Sequence, residues 1–208
     1  SAWNTGNVKD MFAVFAYTPF NRDISKWDTS SVTNMHAMFE SNYEFNGNIE
    51  EWNVSNVENF TDMFTRAISF NQPLNNWNVG SAKDMIRMFS NSPFNQNLSN
   101  WDVSNVENMS GMFMDAVAFN QPLNNWNVSN VTGEDDTGMQ GMFARARSFS
   151  QDLSNWCVTN ISTIPPYFRD DSELTDEQLP IWGTCPEDGS GHHSGGGSAG
   201  GGAGSTGN

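Results

Sequence analysis

One stretch of 25 residues decides the architecture: Phe94-Asn-Gln-Asn-Leu-Ser-Asn-Trp-Asp-Val-Ser-Asn-Val-Glu-Asn-Met-Ser-Gly-Met-Phe-Met-Asp-Ala-Val-Ala118. The same order of residues recurs along the chain, with tryptophans spaced by 24 or 25 residues and by 30 at the last step. A fixed period in this range indicates one supersecondary unit that is copied and stacked, because a single unit cannot bury its apolar side alone. These tryptophans are Trp3, Trp27, Trp52, Trp77, Trp101, Trp126 and Trp156.

Two apolar patterns follow one another inside the unit. Leu98, Trp101 and Val103 predict a short extended piece, since Trp101 and Val103 alternate onto one face. Ser104 is a good helix N-cap, and a helix of about three turns is predicted after it. Its apolar stripe would be Val106, Met109, Met112, Phe113 and Ala116. Each copy is thus expected to contribute one short strand and one short helix.

The repeated aromatic residues are the expected core, with methionine filling irregular gaps between stacked copies. A methionine stripe can also bind copper or an apolar partner, but its recurrence in every copy favours packing. The core residues predicted in this way are Trp27, Trp52, Trp77, Trp101, Trp126, Trp156, Phe39, Phe64, Phe89, Phe113 and Phe143.

Asparagine recurs at equivalent positions, for example Asn56, Asn105 and Asn130. Asn tolerates tight turns and bonds to backbone groups of adjacent coils, so we expect a hydrogen-bonded ladder along the stack. A sugar-binding role for exposed Asn is the alternative. The ladder explains the period without a ligand.

The composition restricts the classes of partner. The net charge is −15 with nine basic residues, which disfavours nucleic acid and anionic membrane surfaces because few cations face the phosphates. No apolar run approaches the ~20 residues that span a bilayer. The chain begins Ser1-Ala2-Trp3, which fits a secreted protein whose signal peptide has been removed, although a trimmed chain looks the same.

The two cysteines, Cys157 and Cys185, both follow the last periodic copy. An even count in an acidic chain that otherwise lacks cysteine predicts one disulfide, which stabilises by roughly 3 kcal/mol in the chain-entropy model. Two reduced, buried thiols are the alternative.

No catalytic or cofactor pattern emerges from the sequence, so we expect neither an enzyme nor a bound cofactor. His36, His192 and His193 form no Ser-His-Asp grouping and no metal motif. The copy after Trp126 carries an insertion with three consecutive acids, Glu134, Asp135 and Asp136. These acids could bind calcium, but adjacent acids without alternating ligands are more often a solvated loop.

Seven asparagines stand in the N-x-S/T pattern and are candidate N-glycosylation sites. Several are by-products of the repeated Asn-Val-Ser unit, so the pattern alone does not require modification. They are Asn53, Asn59, Asn97, Asn108, Asn127, Asn130 and Asn160.

The unit Phe-Asn-x-x-Leu-x-x-Trp-x-Val-Ser-Asn-Val-x-x-Met-x-x-Met-Phe resembles the BspA-like family of leucine-rich-repeat-derived surface proteins, in its Trp/Met-Phe branch of unknown function. The resemblance covers residues 1–186. It implies a right-handed α/β solenoid over residues 1–156, a C-terminal cap over residues 157–186, and export to the cell surface. It implies adhesive or structural roles and no defined substrate.

Residues 187–208 form a Gly/Ser-rich tail, with ten glycines among the last twenty residues. Such a segment is either a flexible linker or a strand that packs where side chains would not fit. Together with the open ends of a solenoid, the tail favours a secreted structural subunit of an extracellular filament or surface layer that self-assembles. The alternative is a monomeric cell-surface adhesin whose solenoid face binds a glycan or a protein.

Overall fold

A computed structural model describes residues 3–132 and 134–186, with the backbone alone at 134–136. The Gly/Ser-rich tail 187–208 therefore lies outside the described residues. Regular secondary structure in the described part is limited to two 3-10 helices, Glu134–Met139 and Asp176–Gln178. Within the same part, parallel pairing is limited to single bridges and there is no α-helix.

Successive copies lie side by side and parallel. A row of single bridges joins them, running Asp10 to Asn34, Asn34 to Asn59, Asn59 to Asp84, and Asp84 to Asn108. The bridge residue of the Trp101 copy is thus Asn108, beyond the piece that the sequence predicts to be extended, Leu98 to Val103. The stacking of copies follows the sequence period, while the pairing lies elsewhere in the unit.

After each bridge comes a turn segment: residues 11–17, 35–41, 60–66, 85–91 and 109–115. Inside it, every second N–H donates to the following copy. In the fourth segment the N–H groups of Met85, Arg87, Phe89 and Asn91 donate to the carbonyls of Asn108, Ser110, Met112 and Met114, at 2.8–2.9 Å. The carbonyls of Ile86, Met88 and Ser90 accept from the preceding copy, from the N–H groups of Asp62, Phe64 and Arg66. We call this arrangement the directional ladder.

Left-handed residues explain why the predicted helix does not form. Arg87 and Asn91 have φ of 51° and 55°, and Gly111 and Asp115 have φ of 61° and 58°. A right-handed helix requires negative φ throughout. These residues turn the N–H groups toward the neighbouring copy, so the stretch from Ser104 to Ala116 forms successive turns. The apolar residues at the predicted spacing are nonetheless buried.

The aromatic side chains form columns through the stack. Phe64 lies 5.6 Å from Phe39 and 5.7 Å from Phe89, measured between ring centroids, with interplanar angles of 3°. These distances fall in the favourable range for offset stacking. The structure places the predicted core residues in the interior, except Trp27, which is partly buried at the edge of the core.

Each interior tryptophan also anchors its copy to the preceding one. The indole N–H of Trp101 donates to the carbonyl of Leu74 at 2.9 Å. Equivalent bonds at 2.9–3.1 Å run from Trp52 to Ile24, Trp77 to Ile49, Trp126 to Leu98 and Trp156 to Leu123. A buried indole N–H needs a partner, and the fixed acceptor in the neighbouring copy explains why the tryptophan recurs.

Residues 157–186 follow the last tryptophan copy and form the far end of the stack. Cys157 and Cys185 form a disulfide, and the N–H of Val158 donates to the carbonyl of Thr184 at 2.8 Å. Phe168 meets Phe143 edge-on, at 5.5 Å and 84°. This edge-on contact ends the column of parallel rings.

Candidate interaction surfaces

The N-terminal end of the stack carries unused hydrogen-bond acceptors. The N–H groups of its turn segment, 11–17, donate to the second copy, as from Ala13 to the carbonyl of His36 at 2.9 Å. The carbonyls of Phe12, Val14 and Ala16 occupy the positions that accept from a preceding copy in the interior, and no backbone N–H of the described residues donates to them. We call residues 3–27 the acceptor end.

The acceptor end also exposes aromatic side chains. Trp3 stacks on Trp27 at 5.7 Å but is 69% exposed, and Tyr17 is 70% exposed. A cavity of about 340 Å³ opens beside them. Its lining includes Trp3, Phe15, Phe20, Arg22, Lys26 and Trp27. In the interior, the preceding copy covers the equivalent aromatic surface.

The opposite end carries unused donors. Gly141, Phe143 and Arg145 donate their N–H groups to the carbonyls of residues 166, 168 and 170, which continues the directional ladder into the closing segment. Tyr167 and Asp171 repeat the left-handed pattern, each with φ of 57°. The N–H groups of Tyr167, Arg169 and Asp171 find no backbone acceptor within the described part of the chain. We call residues 157–186 the donor end.

The two ends also differ in charge. The acceptor end holds three basic residues and two acidic ones, Lys9, Arg22, Lys26, Asp10 and Asp23. The donor end holds one basic residue and five acidic ones, Arg169, Asp170, Asp171, Glu173, Asp176 and Glu177. In a chain with only nine basic residues, the acceptor end is unusually rich in them. Opposite charge on two surfaces favours their encounter.

The outer edges of the turn segments differ from copy to copy, although the inner positions repeat. The left-handed position of successive copies is occupied by Ala13, Ala37, Asp62, Arg87, Gly111 and Gly141. The residue four further along is Tyr17, Ser41, Arg66, Asn91, Asp115 and Arg145. We call this surface the turn face. Some of these residues are buried, such as Ala37, Ser41 and Asp62, whereas Tyr17, Arg66, Arg87, Asn91 and Arg145 are exposed. The exposed residues differ in charge and size, so this lateral surface could carry specificity.

A groove of about 450 Å³ crosses the turn face between the fourth copy and Tyr167. Arg87 bonds to both carboxylate oxygens of Asp62 at 2.8 and 2.7 Å, and this hydrogen bonding raises the pKa of Arg87. Arg145 donates to both carboxylate oxygens of Asp115 in the same way, each at 2.6 Å. A Cβ at Gly141 would come within 2.9 Å of Cε of Met114. The glycine therefore leaves room for Met114 on the groove floor.

A second, polar groove of about 600 Å³ follows the asparagine ladder that the sequence predicts. The side-chain amides of Asn56, Asn105 and Asn130 donate to the carbonyls of Ser30, Gly80 and Ser104 at 2.6–2.7 Å. The structure also contains a second asparagine ladder, which the sequence analysis did not predict. In it, Asn71, Asn95 and Asn120 each accept the backbone N–H of the following copy through Oδ1. The Phe-Asn pair that recurs in the sequence is the pattern from which this second ladder could have been predicted.

The candidate glycosylation sites fall into two groups. Asn53, Asn97, Asn127, Asn130 and Asn160 are exposed, whereas Asn59 and Asn108 are half-buried. The side-chain amide nitrogens of Asn130 and Asn160, the atoms that a glycan would modify, already donate to carbonyls of the preceding copy at 2.6 and 2.7 Å. Among the seven, Asn53, Asn97 and Asn127 therefore combine exposure with an amide that is not committed to this ladder.

The residues considered for metal binding are not brought together. His36 is half-buried, with its ring 5.0 Å from that of Phe12 and its Nε2 3.9 Å from Oδ2 of Asp62. The side chains of Glu134, Asp135 and Asp136, together with His192 and His193, lie outside the described residues. Among the described side chains, no three His, Cys, Asp or Glu are grouped so that they could hold a metal.

Comparison with known proteins identifies a family. Two segments, residues 1–93 and 88–182, each match the family model described as "Mycoplasma protein of unknown function, DUF285". No curated protein matches the chain, and no solved structure does. In the described residues, no helix is long and apolar enough to cross a membrane.

Proposed function

The chain belongs to this family of unknown function, DUF285, and from the unlike ends of its stack we propose that it is a secreted structural subunit of an extracellular filament or cell-surface layer. In this proposal the copies wind into a right-handed solenoid of the BspA-like type, with turns in place of the expected helices. Subunits join through the ends of the solenoid. No catalytic step and no cofactor are part of this function.

One observation carries the proposal: the directional ladder leaves acceptors at one end of the stack and donors at the other. Backbone groups are strong, obligatory hydrogen-bonding groups, and an unpaired edge is a template for pairing with another chain. Two different ends make a heterologous contact, which produces a filament when it does not close into a ring.

The disulfide supports the proposed location. Cys157 and Cys185 are bonded to each other, and such bonds persist in oxidising, extracellular compartments. The net charge of −15 favours solubility of the isolated subunits.

Sedimentation velocity over a concentration series, with negative-stain electron microscopy of the same samples, tests the proposal. We expect the sedimentation coefficient to rise with concentration and fibres or sheets to appear. A parallel series on the chain ending at Pro186 shows whether the tail contributes. Monomers at every concentration, with and without the tail, would refute a structural polymer.

The turn face favours a second candidate, a cell-surface adhesin that binds a glycan or protein. Its residues vary while the interior repeats, and it carries the groove between Arg87 and Tyr167. Binding to a glycan array and to extracellular matrix proteins would be compared between the wild type and Met114→Glu, with Ile68→Glu as a control at an exposed apolar residue away from the groove. Saturable binding that only Met114→Glu removes would support an adhesin, and equal binding by both variants would exclude this groove.

A further inference from the structure

We propose that the acceptor end of one molecule docks on the donor end of a second copy of this chain, in the register of one more repeat. The inference rests on the self-assembly proposed above and gives that assembly its contact surface. The docked copy would extend the directional ladder across the junction, so that the joined stacks continue as one.

The internal ladder dictates the register. In the interior, Arg87, Phe89 and Asn91 donate to the carbonyls of Ser110, Met112 and Met114. Tyr167, Arg169 and Asp171 hold the donor positions at the far end, and Phe12, Val14 and Ala16 hold the acceptor positions at the near end. Tyr167 therefore donates to Phe12 of the second copy, Arg169 to its Val14 and Asp171 to its Ala16.

Three ladder bonds form rather than four. In the interior the series begins one step earlier, with Met85 donating to Asn108. The equivalent donor at the far end would be residue 165, which is proline and has no N–H. The carbonyl of Asp10 is left to solvent, at the edge of the junction.

Apolar surface is available on both sides of the contact. The acceptor end presents the aromatic cavity of about 340 Å³ beside Trp3 and Phe15. On the donor end, the segment that pairs with the last tryptophan copy carries Ile181, which is 76% exposed. Burying such surfaces provides the main driving force for association, and the hydrogen-bond register supplies direction.

Charge fits the same partner. The acceptor end is rich in basic residues and the donor end in acidic ones, so a second copy approaches in the head-to-tail orientation more readily than head-to-head. Two acceptor ends would also bring carbonyls against carbonyls. The complementary charges and hydrogen-bonding groups of the two ends therefore favour a head-to-tail chain of subunits over a symmetric dimer.

Cysteine cross-linking tests the register directly. Neighbouring strands lie about 4.8 Å apart, so Ala16 of one copy is expected beside Asp170 of the other, within disulfide reach. A tagged Ala16→Cys protein would be mixed with untagged Asp170→Cys protein and oxidised, with Cys157–Cys185 left intact. Glu40→Cys replaces Ala16→Cys in the control, because it occupies the same column one copy further from the junction. We expect a mixed dimer on non-reducing gels only with Ala16→Cys.

Charge variants at an adjacent position give an independent measurement. In this register Tyr17 faces Asp171 of the other copy. Tyr17→Asp and Tyr17→Lys both remove the bond that the phenol of Tyr17 donates to Glu40, and they present opposite charges to Glu40 and to Asp171 of the second copy. The effect through Glu40 is the same whatever the partner carries at position 171. We expect Tyr17→Asp to bind about fivefold more weakly than Tyr17→Lys by sedimentation. Asp171→Lys on the partner should reverse that order.

The outcomes separate this inference from the proposed function. Concentration-dependent assembly with no preference for Ala16→Cys over Glu40→Cys, and with equal behaviour of the two Tyr17 variants, would overturn the register while leaving self-assembly in place. Absence of any assembly of the wild type would overturn both. A mixed dimer specific to Ala16→Cys, with the charge order reversed by Asp171→Lys, establishes the junction.

Discussion

Trp101 and Trp27 hold the same place in the repeat, yet their surroundings differ. Trp101 is 3% exposed, stacks between Trp77 and Trp126 at 6.4 Å on either side, and donates to the carbonyl of Leu74. Trp27 is partly buried, its outer neighbour Trp3 is largely exposed, and its indole N–H has no hydrogen-bond partner in the described part of the chain. What a residue contributes is therefore set by the copy that precedes it, as nearest-neighbour stacking requires.

The largest contrast is expected from truncating the tryptophans themselves. Trp101→Ala should lower the free energy of unfolding by about 3–5 kcal/mol, because it opens a cavity in the closed interior. Trp3→Ala removes a mostly exposed ring and should cost under about 1 kcal/mol. Urea unfolding followed by circular dichroism gives both values. Similar losses for the two variants would mean that the interior and the acceptor end are equally packed.

Removing the disulfide tests the donor end in the same way. The double variant Cys157→Ser with Cys185→Ser should have a free energy of unfolding lower by roughly 3 kcal/mol. The reason is that the disulfide closes a loop between two residues that are 28 apart in sequence. Urea unfolding of the serine pair, with reduced wild type as its control, measures the loss. An unchanged midpoint in both samples would show that contacts such as that of Val158 with Thr184 hold the closing segment without the bond.

The indole bond can be separated from ring packing. Trp101→Phe keeps an aromatic ring but removes the bond to Leu74, whose carbonyl still accepts the backbone N–H of Trp77 at 3.0 Å. The loss of this one hydrogen bond is expected to cost about 0.5–1.5 kcal/mol. Trp27→Phe makes the same change where no bond exists and serves as the control. The difference between their urea midpoints measures the contribution of the indole hydrogen bond to stability. Identical midpoints would mean that this bond contributes nothing measurable.

The sequence supports some of these features and not others. Its period predicts the stacking and the interior position of the aromatic rings, and recurring Asn predicts one of the two ladders. The spacing of Val106, Met109 and Met112 predicts a helix because successive turns bury the same residues. The left-handed backbone at Asp115 and its equivalents has no clear marker, since Arg66, Asn91 and Arg145 adopt it at the same position.

The sequence predicts open ends, but which backbone groups each end presents could not be predicted, for a related reason. Which backbone groups face outward depends on the alternating handedness, and no residue type reports it: the position of Tyr167 holds Ala13, Asp62 or Arg87 in earlier copies. The basic residues near Trp3 and the acidic ones after Cys157 were the available signal. Without the directional ladder of the structure, these charges alone do not indicate that the two ends contact each other.

A smaller effect is expected from acid. Hydrogen bonds from Ser104 lower the pKa of Asp102 below its ordinary value of 3.8, and the equivalent bonds from Ser30 lower that of Asp28. Because the folded pKa is depressed, the stabilisation is present above pH 3.8 and is lost as the pH falls through the lower, folded pKa. Burial raises the pKa of Asp84, so its protonation acts in the opposite direction.

Asp102→Asn provides the matched control for the acid effect. Asn53 and Asn78 stand at equivalent positions and accept the same backbone bond, so the substitution removes the titration and keeps the contact. The variant should lose slightly less stability than the wild type between pH 4 and 2 in thermal melts. Indistinguishable pH profiles would mean that Asp102 contributes nothing measurable to folding.

Amide hydrogen exchange, measured against protein concentration, tests the directional ladder and its open ends most directly. Phe143 and Arg145, which donate within the stack, should be protected at every concentration. Tyr167, Arg169 and Asp171 should exchange rapidly in dilute protein and become protected as the concentration rises and copies dock. Rapid exchange at these three amides in fully assembled protein, or protection of them in the dilute monomer, would contradict the account.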